Sequence, residues 1–309
     1  MEQEYDYMKY VPNVHFEQIP IKNLVSNQVY QRNLSIRHVR KAAENFDPYQ
    51  INPVKVSRRD GINYVFNGQH TIEIIALVSG SRETPVWCMI YDDLIYEKEA
   101  NIFANQQKYV KPLMPYEIFM ANLESGSDKH VIINDLVESY NLTITPNMTP
   151  GGVCAVATIE QIYDRYGYHA LDRTLRLSAG TWEGESYSFS ANILKGIAKM
   201  INAYGDMLHD NVFKQKLSEV SVKELIRISK ERRAGSLGYA EAMVNIYNKR
   251  LKDGSQNALP MQMLYTKKIK TFDTQNDSLD EDFYEDEDLD FTENDEETDG
   301  KNTQMNLFS

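Results

Sequence analysis

Between Tyr64 and Leu77 the chain passes from strand to helix through a single tight turn, and no other segment constrains its fold as strongly. Tyr64-Val65-Phe66 is an apolar β-type run. It stops at Asn67-Gly68, two residues that tolerate positive φ and together signal a turn. Ile72 and the Ile74-Ile75-Ala76-Leu77 run then follow helical periodicity, which predicts a helix from about Thr71 to Val78. A helix starting from such a turn points its free N–H groups outward, together with the positive end of its dipole. An anion binds there without any special side chain. Gln69 and His70 stand at the mouth of the turn. A His at a helix start also serves as a cap or a solvated surface residue, so the local sequence leaves both readings open.

The flanking segments add context. Phe16 to Leu24 is a β-type segment, followed by Tyr30-Gln31-Arg32-Asn33. Leu34 to Phe46 reads as a helix, with Leu34, Ile36, Val39, Ala42, Ala43 and Phe46 mostly at three- and four-residue spacings and Arg37, Arg40 and Lys41 on other faces. Asn52 to Ser57 reads as a strand, Arg58-Arg59-Asp60-Gly61 as a turn, and Thr84 to Tyr91 as a further strand. Tyr96 to Gln107 returns to helical periodicity, with Ala100, Phe103 and Ala104 inward.

This ordered series resembles the ParB/sulfiredoxin superfamily, the ParB-like nuclease domains, over roughly residues 15 to 110. The resemblance rests on Ile19 to Leu24 for the first strand, Tyr30-Gln31-Arg32 for the Gln-x-Arg segment, Asn52 to Val56 for the Pro-Val-x-Val strand, and Asn67-Gly68-Gln69-His70 for a turn of the DGQHR type. It implies a small α/β domain whose Gly68 turn binds a nucleotide or nucleic-acid phosphate. Gln31, Arg32, Asn67, Gly68, Gln69 and Thr71 are its implied ligands. Helical continuations of this kind occur in ParB-like proteins of phages and mobile elements.

The chain also departs from the family. Nucleotide-binding members and sulfiredoxins place Arg where Thr71 stands, and Thr cannot grip phosphate with a charged fork. Gln69 replaces the sulfiredoxin Cys, which excludes sulfinic-acid reduction by that route. Glu73 brings a negative charge to the first helical turn unless it points away or holds a metal. Arg32 is the cation that could compensate from across the pocket; its other reading is a simple partner for a carboxylate.

The chain has 309 residues, a 42% hydrophobic fraction and a net charge of −12. That length and apolar content support about two cored domains. Cys88 and Cys154 supply neither a disulfide framework nor metal-ligand spacing, which fits a reducing, cytoplasmic setting, and Cys88 reads as a core residue. No apolar run is long enough to span a bilayer, and no secretory signal is expected. The charge is unevenly placed: Asp273 to Asp299 contains 15 of the 45 acidic residues and no Lys or Arg. With Lys301 alone beyond it, the rest carries 30 acids against 32 bases, a balance near +2. Strong general binding to a phosphate backbone is not implied. Local patches at Arg37/Arg40/Lys41, Arg58/Arg59 and Lys230/Arg232/Arg233 leave DNA open as a partner.

From Pro112 to about Tyr265 the pattern is mainly helical. Helices are expected at Pro115 to Leu123, Lys129 to Tyr140 (with Val131, Ile132, Leu136 and Val137), Ala155 to Tyr166, Ala170 to Leu177, Asn192 to His209, Ser221 to Lys230 and Tyr239 to Leu251. Thr145 to Gly152 reads as a loop. No P-loop, His-Glu-x-x-His, nucleophile elbow or clustered Cys/His set is present, and no metal site is assigned.

Residues 266 to 309 lose apolar periodicity and read as a disordered acidic tail. It ends in Gln304-Met305-Asn306-Leu307-Phe308, which resembles the Gln-Leu-x-Leu-Phe motif that binds the bacterial DNA sliding clamp. Gln304 would make a directional amide contact, while Met305, Leu307 and Phe308 would fill an apolar pocket.

The expected fold class is α+β. Residues 1–14 form an N-terminal extension, 15–110 the ParB/sulfiredoxin-like domain, 111–265 a mainly helical domain, and 266–309 the tail. The leading functional expectation is a DNA-metabolism accessory protein that binds a nucleotide or nucleic-acid phosphate at the Gly68 turn and docks to the sliding clamp. If it is an enzyme, His70 is the acid/base candidate. The reaction would then be nucleoside triphosphate hydrolysis with magnesium. The alternative is a non-enzymatic regulator or decoy. A nuclease ranks lower, because the turn carries no paired carboxylates for metal-assisted cleavage.

Overall fold

The computed structural model describes residues 11–26, 30–31, 33–92, 94–106, 108, 110–251 and 257–266. The chain is mixed α and β and divides into two compact units between Pro112 and Leu113.

In the first unit the strands are β1 (His15–Pro20), β2 (Leu24–Ser26), β3 (Val54–Arg59), β4 (Ile62–Asn67) and β5 (Pro85–Tyr91). The helices are α1 (Ile36–Glu44), α2 (Gln69–Ser79) and α3 (Tyr96–Asn105). The sheet order is β1-β5-β3-β4-β2. β1–β5 and β3–β4 are antiparallel, while β5–β3 and β4–β2 are parallel. The single strand expected over Phe16 to Leu24 is thus two strands on opposite edges, separated by a 3-10 turn at Ile21–Asn23. Pro20 cannot donate to a ladder, and the next two amides, of Ile21 and Lys22, donate to the carbonyls of Thr84 and Arg82 at 3.1 and 2.9 Å. The four steps from Pro20 to Leu24 reach about 14 Å at most. A flat five-stranded sheet would hold its edges about 19 Å apart. The sheet therefore curls, and Ile21 is fully enclosed in the closing turn.

Strand alternation sends Ile19, Val54, Val56, Val65, Val86, Cys88 and Ile90 to the inner face, where Ile72, Ile75 and Ala76 of α2 complete the core. Each such aliphatic side chain contributes roughly 1.5–3 kcal/mol by leaving water. Asp60 and Gly61, both at positive φ (50° and 73°), make the two-residue hairpin turn. Arg58 and Arg59 belong to β3 rather than to the turn. In α1 the Ser35 hydroxyl accepts the His38 amide and caps the helix. Val39 is buried, but Ile36 is 55% exposed. In α3 the expected inward Ala104 is exposed, and the fully buried residue is Glu99.

The second unit holds α4 (Pro115–Glu124), α5 (Asp128–Ser139), α6 (Val156–Tyr166), α7 (Tyr168–Trp182), α8 (Ala191–Tyr204), α9 (Asp210–Leu217), α10 (Val222–Arg232) and α11 (Gly235–Asn248). A small parallel pair, β6 (Thr143–Ile144) and β7 (Gly152–Val153), brackets the expected loop, with Gly152 in β7. Two apolar clusters share α7 and α8. Leu171, Leu175, Leu194 and Ala198 face α4–α6, while Leu177, Trp182, Ile193, Ile197 and Met200 face α9–α11. Two core walls make α8 apolar nearly all round. A Cβ on Gly196 would meet Met243 Cε at 2.6 Å and Ala240 N at 3.3 Å, so glycine sets the close approach of α8 and α11.

Several boundaries and facings differ from expectation. α7 runs past Leu177 to Trp182, α8 stops at Tyr204, and the short α9 occupies a stretch with no expected helix. In α5, Val131 and Ile132 are solvent-facing, while His130, Ile133, Leu136 and Val137 are buried. All four lie near one stripe of the helix, and the neighbouring helices cover only one side of it.

Candidate functional site

Gly68 ends β4 and precedes α2 with φ 109° and ψ 15°. Only glycine adopts that conformation cheaply. A Cβ would stand 3.1 and 3.2 Å from the Val54 methyls and 3.3 Å from Val54 Cα. The turn therefore lies against β3, and β3 aims the start of α2. The first helical bond runs from the Ile72 amide to the Gly68 carbonyl at 3.0 Å. The amides of Gln69, His70 and Thr71 have no acceptor within the helix.

A bulge just before the turn shapes the site. Lys55 pairs with Asn67 and Val56 with Val65, so Phe66 has no partner of its own. Successive strand residues normally face opposite sides; the bulge turns Phe66 and Asn67 toward the same cleft. That cleft has a volume of about 480 Å³, within the range of small-molecule sites. Gln31, Asn67, Gly68, Gln69, His70 and Thr71, all named from the sequence, line it together with Tyr30, Phe66, Phe103, Ala104 and Gln106. Arg32, Gln304, Met305, Leu307 and Phe308 lie outside the described residues. Among the described residues the lining contains no Lys, Arg, Asp or Glu.

The polar groups are held in place. The Gln31 side-chain amide donates to the Val65 carbonyl. Asn67 Nδ2 donates to Gln106 Oε1 at 2.8 Å, tying the turn to the end of α3. Gln69 is buried, at 8% exposure. The Ser35 amide donates to His70 Nε2 at 3.2 Å, and the His70 ring stands edge-on to His38 at 5.4 Å. An accepting Nε2 places the neutral ring's proton on Nδ1. Proton transfer through Nε2 would require the Ser35 bond to open, so the observed geometry uses His70 to join α1 to α2. Glu73 is turned away: its carboxylate takes a bidentate grip from Arg82 at 3.0–3.1 Å, which neutralises it.

One wall of the cleft rests on a buried charge that periodicity did not reveal. The Tyr30 hydroxyl donates to Glu99 Oε1 at 3.0 Å, and its ring packs on Phe103 and Tyr96 at 5.5 and 5.8 Å. Burial first, and then the Glu99 carboxylate, raise the Tyr30 pKa well above the ordinary tyrosine value. Arg59 Nη2 lies 2.7 Å from Glu99 Oε2, and its guanidinium stacks 4.3 Å over Tyr64. Neither Glu99 Oε2 nor Arg59 Nε makes an aligned hydrogen bond, so the pair is held by charge and stacking. Gln106 and Glu99 carried no signal in the sequence, because their partners lie dozens of residues away.

The arrangement offers amide donors at a helix start, carboxamides and aromatic walls. These suit an anion or a planar polar group. Among the described residues no cluster of His, Cys, Asp and Glu could hold a metal ion, and no helix is long and apolar enough to cross a membrane.

Comparison with solved structures finds a C-terminally truncated chromosome-partitioning protein ParB from Caulobacter crescentus, complexed with CTP-γ-S. It shares 15% identity and a TM-score of 0.32, covering 66% of this chain and 98% of that one. An overlap that loose carries no argument. No curated protein matches the chain. A family model described as a family of unknown function, DUF6551, matches residues 25–263. That match spans well over half of the sequence, and the chain therefore belongs to the DUF6551 family.

Proposed function

We propose that the Gly68 cleft binds a nucleotide or a nucleic-acid phosphate, and that the protein is an accessory factor of DNA metabolism. The observation that carries this reading is the junction itself. A left-handed glycine pressed on β3 delivers the first amides of α2 to a cleft lined by Gln31, Gln69, His70, Tyr30 and Phe103. Helix amides favour an anionic group, while carboxamides and aromatic rings suit a base. The motif series from Ile19 to His70 supports reading residues 15–110 as a ParB/sulfiredoxin-like domain. The C-terminal Gln304-Met305-Asn306-Leu307-Phe308 supports docking to the bacterial sliding clamp.

A non-enzymatic regulator is the second reading. It is favoured by the Ser35 bond on His70 Nε2 and by Thr71 where the ParB-type nucleotide binders and sulfiredoxins that the sequence resembles carry Arg. Calorimetric titration with ATP, CTP, GTP and UTP plus magnesium, run beside a phosphate-release assay, separates the two. Saturable binding that Gln69→Ala and His70→Ala weaken about tenfold, a little over 1 kcal/mol, supports the site. Phosphate release would add hydrolysis. No binding of any of the four removes the nucleotide reading and leaves the regulator, whose clamp capture should disappear on deleting Gln304 to Ser309.

A further inference from the structure

The curled sheet is covered unevenly. α2 closes its inner face, and α3 closes the outer face only over β3 and β4, where Glu99 meets Arg59 and Tyr96 packs beside it. Among the described residues, no helix covers the outer face over β1 and β5. There Phe16 is 53% exposed and Trp87 is 55% exposed. The registers define a surface: Phe16 pairs with Met89, Met89 with Lys55, and Gln18 with Trp87. Phe16, Met89 and Lys55 form one row across three strands, and Gln18 and Trp87 form the next. Phe16 and Trp87 are diagonal neighbours, about 7–8 Å apart, close to twice the 3.4 Å rise of stacked bases. The Tyr91 hydroxyl donates to Met89 Sδ at 3.2 Å and fixes the residue between them.

From this we propose that the outer face of β1–β5–β3 is a stacking platform for unpaired bases of single-stranded nucleic acid. Its residues are distinct from those that line the Gly68 cleft. A sheet that presents aromatic rings from adjacent strands can stack successive bases, and such stacking tolerates any base because each has a π-face. Ring spacing and charge together point to this occupant. The patch offers two aromatic rings, the Met89 thioether, a carboxamide and the Lys55 ammonium, which complements a backbone phosphate. Nearby carboxylates are already engaged: Glu17 with Arg58 at 2.7 Å and Asp92 with His15 at 3.1 Å. Lys55 has no ion-pair partner among the described residues. The near-neutral folded body fits binding carried by stacking rather than by counterion release.

The test uses the full chain carrying Trp182→Phe. Trp182 is buried, with its indole N–H bonded to the Val220 carbonyl, so Trp87 becomes the sole tryptophan and is excited selectively at the red edge of the band. Titration with oligo(dT) and oligo(rU) should quench it saturably, and tighter binding by one of them would identify the natural strand. Anisotropy of a labelled oligomer should show Phe16→Ala and Trp87→Ala each weakening binding about 5- to 140-fold with unchanged thermal midpoints. The salt dependence should be shallow, with a slope near −0.7 that Lys55→Ala removes. No quenching by either oligomer at low salt would overturn the proposal. Equal binding of duplex would overturn it as well, and so would self-association abolished by Phe16→Asp in place of strand binding.

Discussion

Replacing Gly68 with alanine tests whether the turn against β3 organises the first unit. Two independent costs arise at this position. A φ of 109° is unfavourable for any residue with a Cβ, and the new methyl would lie 3.1–3.3 Å from three atoms of Val54, one of them backbone. Strain of this type costs about 1–3 kcal/mol, and overpacking a tight site costs a similar amount. The expected loss is about 2–6 kcal/mol, or roughly 10–30 °C in the midpoint of a domain of this size. Gly80 is the internal control: it closes α2 at φ 68° with nothing within 4 Å of its would-be Cβ. Gly80→Ala should cost only about 1 kcal/mol from backbone strain. On the Trp182→Phe background, Trp87 fluorescence follows the first unit alone through a urea titration. Should Gly68→Ala prove no more destabilising than Gly80→Ala, contact with Val54 does not set the turn. The account of how α2 is aimed would then fail with it.

Three further outcomes follow from named contacts. Arg59→Ala strands the fully buried Glu99 carboxylate and should cost about 3–5 kcal/mol; Arg59→Met with Glu99→Leu should recover most of it in a double-mutant cycle by denaturant unfolding. Tyr140 and Tyr204 are both pushed up to about 12, chiefly by burial, with the Asp172 hydrogen bond adding to Tyr140. The folded state thus holds its phenol protons longer than the unfolded one, so stability should fall as pH rises from about 10 to about 12, and Tyr140→Phe or Tyr204→Phe should flatten that fall in pH-dependent unfolding. Arg82→Ala releases the Glu73 charge in the first turns of α2 and should weaken anion binding at the cleft several-fold in calorimetry, an effect that added salt should shrink; unchanged affinity would show that Glu73 is electrostatically remote from the ligand.

What the sequence determined by itself is local. Asn67-Gly68 specified a positive-φ turn between strand and helix because glycine alone is at ease there. Asp60-Gly61 signalled a turn in the same way, whereas the helix expected from Leu34 to Phe46 is trimmed to Ile36–Glu44, where the Ser35 hydroxyl caps its start. The polar residues around Gly68 were legible for that reason, since neighbours in the chain must remain neighbours at a turn. Facing and strand order were not legible. Phe16 to Leu24 reads as one β-type run, yet Pro20 splits it between opposite edges of a curled sheet, a result set by pairing with β5 and β4. Val131 and Ile132 match a helical stripe as well as Ile133 does, and only the position of neighbouring helices decides which of them is covered. Glu99, Arg59, Tyr30 and Gln106 meet across separations that periodicity cannot encode. A buried carboxylate is stable only when a distant chain segment brings its countercharge, so tertiary structure alone decided the wall of the cleft.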